Sequence, residues 1–90
     1  MEEFRAIVSG RVQMVMFRDF TCRKGRKVGV TGVVRNLPDG NVEVVAQGSK
    51  ENLERLIEYL HKGPILAKVA DVAVEWRVPA ETYQGFEIMY

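Results

Sequence analysis

The sequence has one cysteine, Cys22, one histidine, His61, and no apolar run that approaches membrane-spanning length. A single cysteine excludes an internal disulfide and fits a reducing compartment. No CxxC pair is present, which excludes a soft-metal site built on paired thiolates. The lone histidine falls in the last turn of a predicted helix, where a positive charge would complement the helix dipole without any catalytic part. A surplus of either charge is missing too. Thirteen basic residues against 12 acidic ones leave a net charge of +1, a poor basis for a duplex-DNA binder or a polybasic membrane anchor. The opening Met1-Glu2-Glu3 is acidic and lacks the basic flank of a secretory leader. These absences predict a cytoplasmic protein with no membrane, no nucleic acid and no metal among its partners.

What is present is enough for one core. Ninety residues that are 47% hydrophobic predict a single domain over 1–90, with no linker, repeat or low-complexity tract. Phe4 to Ser9 reads as a short strand that stops at Gly10. Phe17 to Val28 reads as a helix with Phe17, Phe20, Thr21 and Val28 on one face and Gly29 as its C-terminal cap. Gly25 inside it costs about 1 kcal/mol relative to alanine, so this helix must depend on packing. Thr31–Asn36 and Val42–Gln47 flank Leu37-Pro38-Asp39-Gly40-Asn41, a hairpin whose proline presets the turn and whose Gly40 accepts positive φ.

Ser49 caps a second helix with Leu53, Leu56, Ile57 and Leu60 as its apolar stripe, and Lys62-Gly63-Pro64 ends it. Ala70, Val72, Val74, Trp76 and Val78 alternate with other residues as a fourth strand, which makes Trp76 a core residue. Phe86, Ile88 and Tyr90 alternate as a short last strand. The order β-α-β-β-α-β plus a terminal strand predicts an α+β, ferredoxin-like split β-α-β sandwich with two helices on one face of an antiparallel sheet. Strands one and two then run the same way with strand three between them. The loop Gly10 to Met16 and the pair Arg35-Asn36 are thus expected at a common spot, about 10 Å apart.

A loop that runs into a helix N-terminus offers free N–H groups and the positive end of the helix dipole, a ready anion site. Arg18 in the first turn has the wrong charge for helix stability and the planar fork that suits phosphate oxygens. Asn36, with an acceptor and two donors, could hold a water there. Plainer readings stand beside these: a surface salt bridge between Arg18 and Asp19, and a turn-initiating role for Asn36.

Residues 10–18, GRVQMVMFR, resemble the acylphosphatase signature G-[RK]-V-Q-G-V-x-F-R through Gly10, Arg11, Val12, Gln13, Val15, Phe17 and Arg18. Residues 29–48, GVTGVVRNLPDGNVEVVAQG, are similar to the second block of that family, as are His61–Pro64 and the ending Phe86–Tyr90. The resemblance implies hydrolysis of the carboxyl–phosphate bond of small-molecule acyl phosphates. Its site would be the phosphate-binding loop Gln13, Met14, Val15, Met16, Phe17 and Arg18, with Arg18 and Asn36 catalytic. It implies no cofactor and no metal. Inorganic phosphate would be product and inhibitor, and the chain a monomer with broad tolerance of the acyl part.

Met14 departs from the pattern, since the family usually has glycine there. Acceptance of a bulky residue predicts negative φ at 14, with the thioether as lid or filler over a weakened site. A silent anion- or partner-binding domain of the same fold is the alternative. A nucleic-acid module of this strand order is disfavoured, because Val42–Gln47 carries no aromatic to stack a base.

Overall fold

Alternation in the first strand, β1 (Glu2–Arg11), buries Phe4, Ala6 and Val8 completely on one face. The same period in β3 (Val42–Gly48) buries Val42, Val44 and Ala46 beside them. The computed structural model describes Met1–Tyr90. It continues with α1 (Phe17–Val28), β2 (Thr31–Asn36), α2 (Lys50–Lys62), β4 (Lys68–Arg77) and β5 (Phe86–Met89). The five strands lie in the order β4-β1-β3-β2-β5, and both helices pack on the face that carries Phe4, Val44 and their neighbours. From α2, Leu53, Leu56 and Leu60 are fully buried. Burying such a side chain contributes about 1.5–3 kcal/mol. The Ser49 side chain caps α2 by accepting from the Asn52 amide at 3.3 Å.

The predicted α+β architecture is observed, with β1 longer than expected at both ends. One feature of the sheet differs. It is mixed, because β5 pairs with β2 in parallel while every other neighbouring pair is antiparallel. Gly25 explains how β5 is seated: a Cβ at that position would lie 2.4 Å from the Phe86 ring. The helix glycine that weakens α1 locally is the notch that admits the buried Phe86.

The alternation expected of β4 is only partly realised. Val72 is buried and Val74 half-buried, but Ala70 and Val78 are exposed and Trp76 is 40% exposed. A register shift between Ser9 and Gly10 turns Val69 inward in place of Ala70, and β4 is an edge strand with fewer neighbours. Trp76 is therefore a rim residue and not a core one. Its ring meets Phe4 edge-on at 5.8 Å, and the Lys50 ammonium lies 5.5 Å from its centroid.

The sheet face without helices is held by charge. Glu43, nearly buried, accepts from Arg5 and Arg35, each at 2.6 Å. Burial opposes its charge, but the two guanidinium hydrogen bonds outweigh that and keep its carboxyl below the usual range. Glu3 pairs with Arg77 and accepts from Gln47, whose amide also reaches the β4–β5 connection at Glu81 and Tyr83. The only aromatic on β1 or β3 is Phe4, which lies in the core, so this face offers no stacking platform on its central strands.

Candidate active site

The loop between β1 and α1 is anchored at alternate positions. Val12, Val15 and Phe17 are buried, whereas Met14 and Met16 stand 99% and 69% exposed. Gln13 fixes the loop from the side. Its Nε2 donates to the carbonyls of Leu37 and Asn41, both at 2.8 Å, which are the two ends of the β2–β3 turn. The Gln13 side chain is thereby committed to the hairpin, and only its backbone can serve an anion.

Met14 and Met16 both have left-handed backbone, with φ of 62° and 65°. Negative φ at Met14 was the expectation, and it is wrong. So is the idea of a core filler, since that side chain touches almost nothing. Left-handed residues within a turn draw successive N–H groups toward one concave point. Met16 is also the N-cap of α1, and no side chain caps the helix there. The first-turn amides keep no partner within the helix, and the residues that bear them, Phe17, Arg18 and Asp19, line the same hollow as the loop.

A cavity of about 340 Å³ occupies this concavity, lined by Met14, Met16, Phe17, Arg18, Asn36 and Ile88 among others. Arg18 and Asn36 are thus brought to one site. The salt bridge considered for Arg18 does not form, because Asp19 pairs with Arg23 at 3.0 Å instead. Arg18 has no carboxylate within ion-pair distance, and its guanidinium stacks 5.2 Å from the Tyr90 ring centroid. A half-buried cation in an anion-shaped hollow is left unneutralised. Asn36 ends β2, and its Oδ1 is buried without any hydrogen-bond partner. A buried acceptor left open costs about 1–3 kcal/mol, and the side chain that bears it lines the cavity. Arg35, expected at the same spot, is elsewhere. Adjacent strand residues face opposite ways, and Arg35 is engaged with Glu43.

Two participants and one contact are not legible in the sequence. Ile88 lines the cavity and Tyr90 holds the arginine, and no local pattern marks either for that part. The Gln13 tether could have been suspected from a polar residue lodged between buried valines. Cys22 is buried and outside the cavity, and burial pushes its thiol pKa up, as an inert thiol requires. No group of three or more His, Cys, Asp or Glu side chains converges anywhere. No helix is long and apolar enough to cross a membrane.

The backbone at 14 and 16 has a measurable consequence. Each methionine bears about 1–2 kcal/mol of left-handed strain, and glycine would remove it while loosening the unfolded chain by about 0.4–1 kcal/mol. Met14→Gly and Met16→Gly are each expected to raise the urea midpoint at unchanged m value, a gain in stability of up to about 1.5 kcal/mol. A lowered midpoint for either would mean that the side chain stabilises the loop by more than its backbone costs.

Comparison with known proteins agrees with the fold. The family model described as acylphosphatase matches residues 4–88. The chain is 50% identical over 82 residues to an acylphosphatase of Thermococcus kodakarensis, covering 91% of this chain and 89% of that one. It is 47% identical to one of Salinibacter ruber, covering 92% and 87%. The crystal structure of acylphosphatase from Bacillus subtilis superposes over the full length of both chains with a TM-score of 0.96 at 37% identity.

Proposed function

The chain belongs to the acylphosphatase family, and on that footing we propose that the hollow between the β1–α1 loop and Asn36 hydrolyses acyl phosphates by direct attack of water, without a metal. The observation that carries this is the pairing of two uncommitted side chains at one cavity: Arg18, whose guanidinium has no carboxylate partner, and Asn36, whose Oδ1 has no hydrogen-bond partner.

Arg18 and the amides of the loop and first helical turn hold the phosphate oxygens. The Asn36 side-chain amide hydrogen-bonds a water and aims its oxygen at phosphorus. The new P–O bond forms as the bond to the acyl oxygen breaks, the electron pair leaves on the carboxylate, and the attacking water's proton passes to a phosphate oxygen or to solvent, which yields carboxylate and inorganic phosphate. That leaving group has a conjugate acid of pKa about 4, so no general acid is required at neutral pH. Phosphoryl transfer of this kind is mainly positioning and charge stabilisation, which one arginine, a ring of amides and a held water can supply. In this reading the charge on the transferring group is met by Arg18 and backbone dipoles. Inorganic phosphate, released into the same cradle, competes with substrate. The same reading has the chain act as a monomer in the cytoplasm, its one thiol buried and unpaired.

Phosphate release from acetyl phosphate tests this reading. Turnover is expected to be undiminished by EDTA and unraised by magnesium. Activity lost to chelator and restored by magnesium would reject the metal-free route. Absence of turnover under every condition would leave an anion-binding domain whose loop methionines have silenced it.

A further inference from the structure

We propose that Gln13 is a positioning residue whose two hydrogen bonds hold the cradle in its left-handed shape and fix it against Asn36. One side chain, touching neither substrate nor water, thereby sets how the bound phosphate faces the held water. This rests on the cradle reading given above and adds a residue to it.

The sheet does not supply that registration. Pairing of β1 with β3 ends at Val8 and Val42, and pairing of β2 with β3 ends at Asn36 and the same Val42. Past that rung no ladder joins the loop to the end of β2. Arg11 pairs with Lys68 of β4, on the other side of β1. Val12, Val15 and Phe17 are buried, but apolar burial is non-directional and holds the loop down without fixing where it points. Gln13 alone hydrogen-bonds residues 12–16 to the hairpin. Its amide has two protons to give, and two carbonyls, those of Leu37 and Asn41, accept from it. The acceptors are themselves tied, since the Leu37 N–H donates to the Asn41 carbonyl at 2.8 Å and closes the turn. Leu37 directly follows Asn36. The tether therefore ends one peptide unit from the residue that holds the water.

The other end of the tether adjoins the strained backbone, because Met14 is the next residue after Gln13 and is left-handed, as is Met16. A bulky residue leaves that conformation when nothing holds it there. Loss of the tether then has two separable effects. The convergent cradle becomes a minority shape of the loop, and phosphate affinity falls by the fraction that remains competent. The cradle also loses its register to Asn36, and a misplacement of about 1 Å can cost about a hundredfold in rate. The first effect depends on strain at residues 14 and 16, and the second does not.

Gln13→Met, close in size and without a donor, is to be made in the parent and in a background carrying Met14→Gly with Met16→Gly. Inorganic phosphate is titrated by calorimetry, and acetyl phosphate gives kcat. In the parent, Gln13→Met is expected to raise the phosphate Kd by about tenfold and to lower kcat by about a hundredfold. In the glycine background the same change should raise Kd by about twofold or less, yet still lower kcat by about a hundredfold. A side chain that only supports the fold would act alike in both backgrounds and on both quantities, through the folded fraction. An equal rise in Kd in the two backgrounds would overturn the lock on the cradle, and an unchanged kcat would overturn the registration with Asn36. Should Gln13→Met fail to fold in the parent, the glycine background, relieved at both strained positions, carries the test: near-parental Kd with low kcat upholds the inference, and near-parental kcat overturns it. A parent that neither binds phosphate nor turns over acetyl phosphate removes the cradle reading and this inference together. A parent that does both, with Gln13→Met altering neither, overturns this inference alone.

Discussion

Arg18→Ala is expected to lower kcat/KM for acetyl phosphate by about a thousandfold or more, the scale of losing a preorganised charge from a phosphoryl cradle. Arg18→Lys should recover little of it, because a point charge cannot reproduce two parallel N–H bonds to phosphate oxygens. The structure makes this a clean experiment. Arg18 pairs with no carboxylate, so its removal orphans no anion. What is lost from the folded state is the stacking on Tyr90, worth about 0.5–1 kcal/mol at an exposed site. Activity should collapse while the unfolding midpoint barely moves. Competition by inorganic phosphate should vanish with it. Near-parental kcat/KM in Arg18→Ala would place the phosphate elsewhere in the molecule.

Asn36→Ala should act on the water and spare the phosphate. We expect kcat to fall by about two to three orders of magnitude, on the order of 3 kcal/mol of transition-state stabilisation, while phosphate affinity by calorimetry stays within about twofold. Stability should respond in the opposite sense to activity. The Oδ1 atom is buried without a partner, so its deletion relieves a desolvation penalty of about 1–3 kcal/mol and breaks no hydrogen bond at that atom. An enzyme variant that is nearly dead and no less stable than its parent is the signature of a group held open for reaction. If Asn36→Ala instead keeps its turnover and loses phosphate, the two roles are reversed.

The parts of this molecule that follow from periodicity were readable in the sequence. Phe17–Val28 has the helical stripe and the Gly29 stop, and those are its bounds in the structure. Strand order follows from short connections and crossover handedness, and that order puts the β1 loop and Asn36 at one edge. What was not readable depends on contacts between distant segments. The Ser9–Gly10 register shift exchanges Ala70 for Val69 on the inner face of β4, and nothing near residue 70 announces it. Arg35 and Asn36 are neighbours in the chain, but Glu43 takes one to the far face and leaves the other to the cavity. The backbone of Met14 was misjudged because a bulky side chain argues for ordinary φ. The loop's buried anchors and its tether to the hairpin enforce the rarer conformation.

That tether sets an order of events in time. Two left-handed methionines together disfavour the loop by about 2–4 kcal/mol, so in a free segment the cradle shape would occur in between about one chain in thirty and one in a thousand. The carbonyls that hold it, on Leu37 and Asn41, lie 24 and 28 residues away in sequence and are presented by a turn that must already be closed. The anion cradle is therefore a late acquisition of the folding chain, completed after the hairpin and after Val12 and Val15 have found the core. A glycine at Met14 would relieve strain that the transition state has yet to incur, so its stabilisation should appear almost wholly as slower unfolding, with the folding rate scarcely changed.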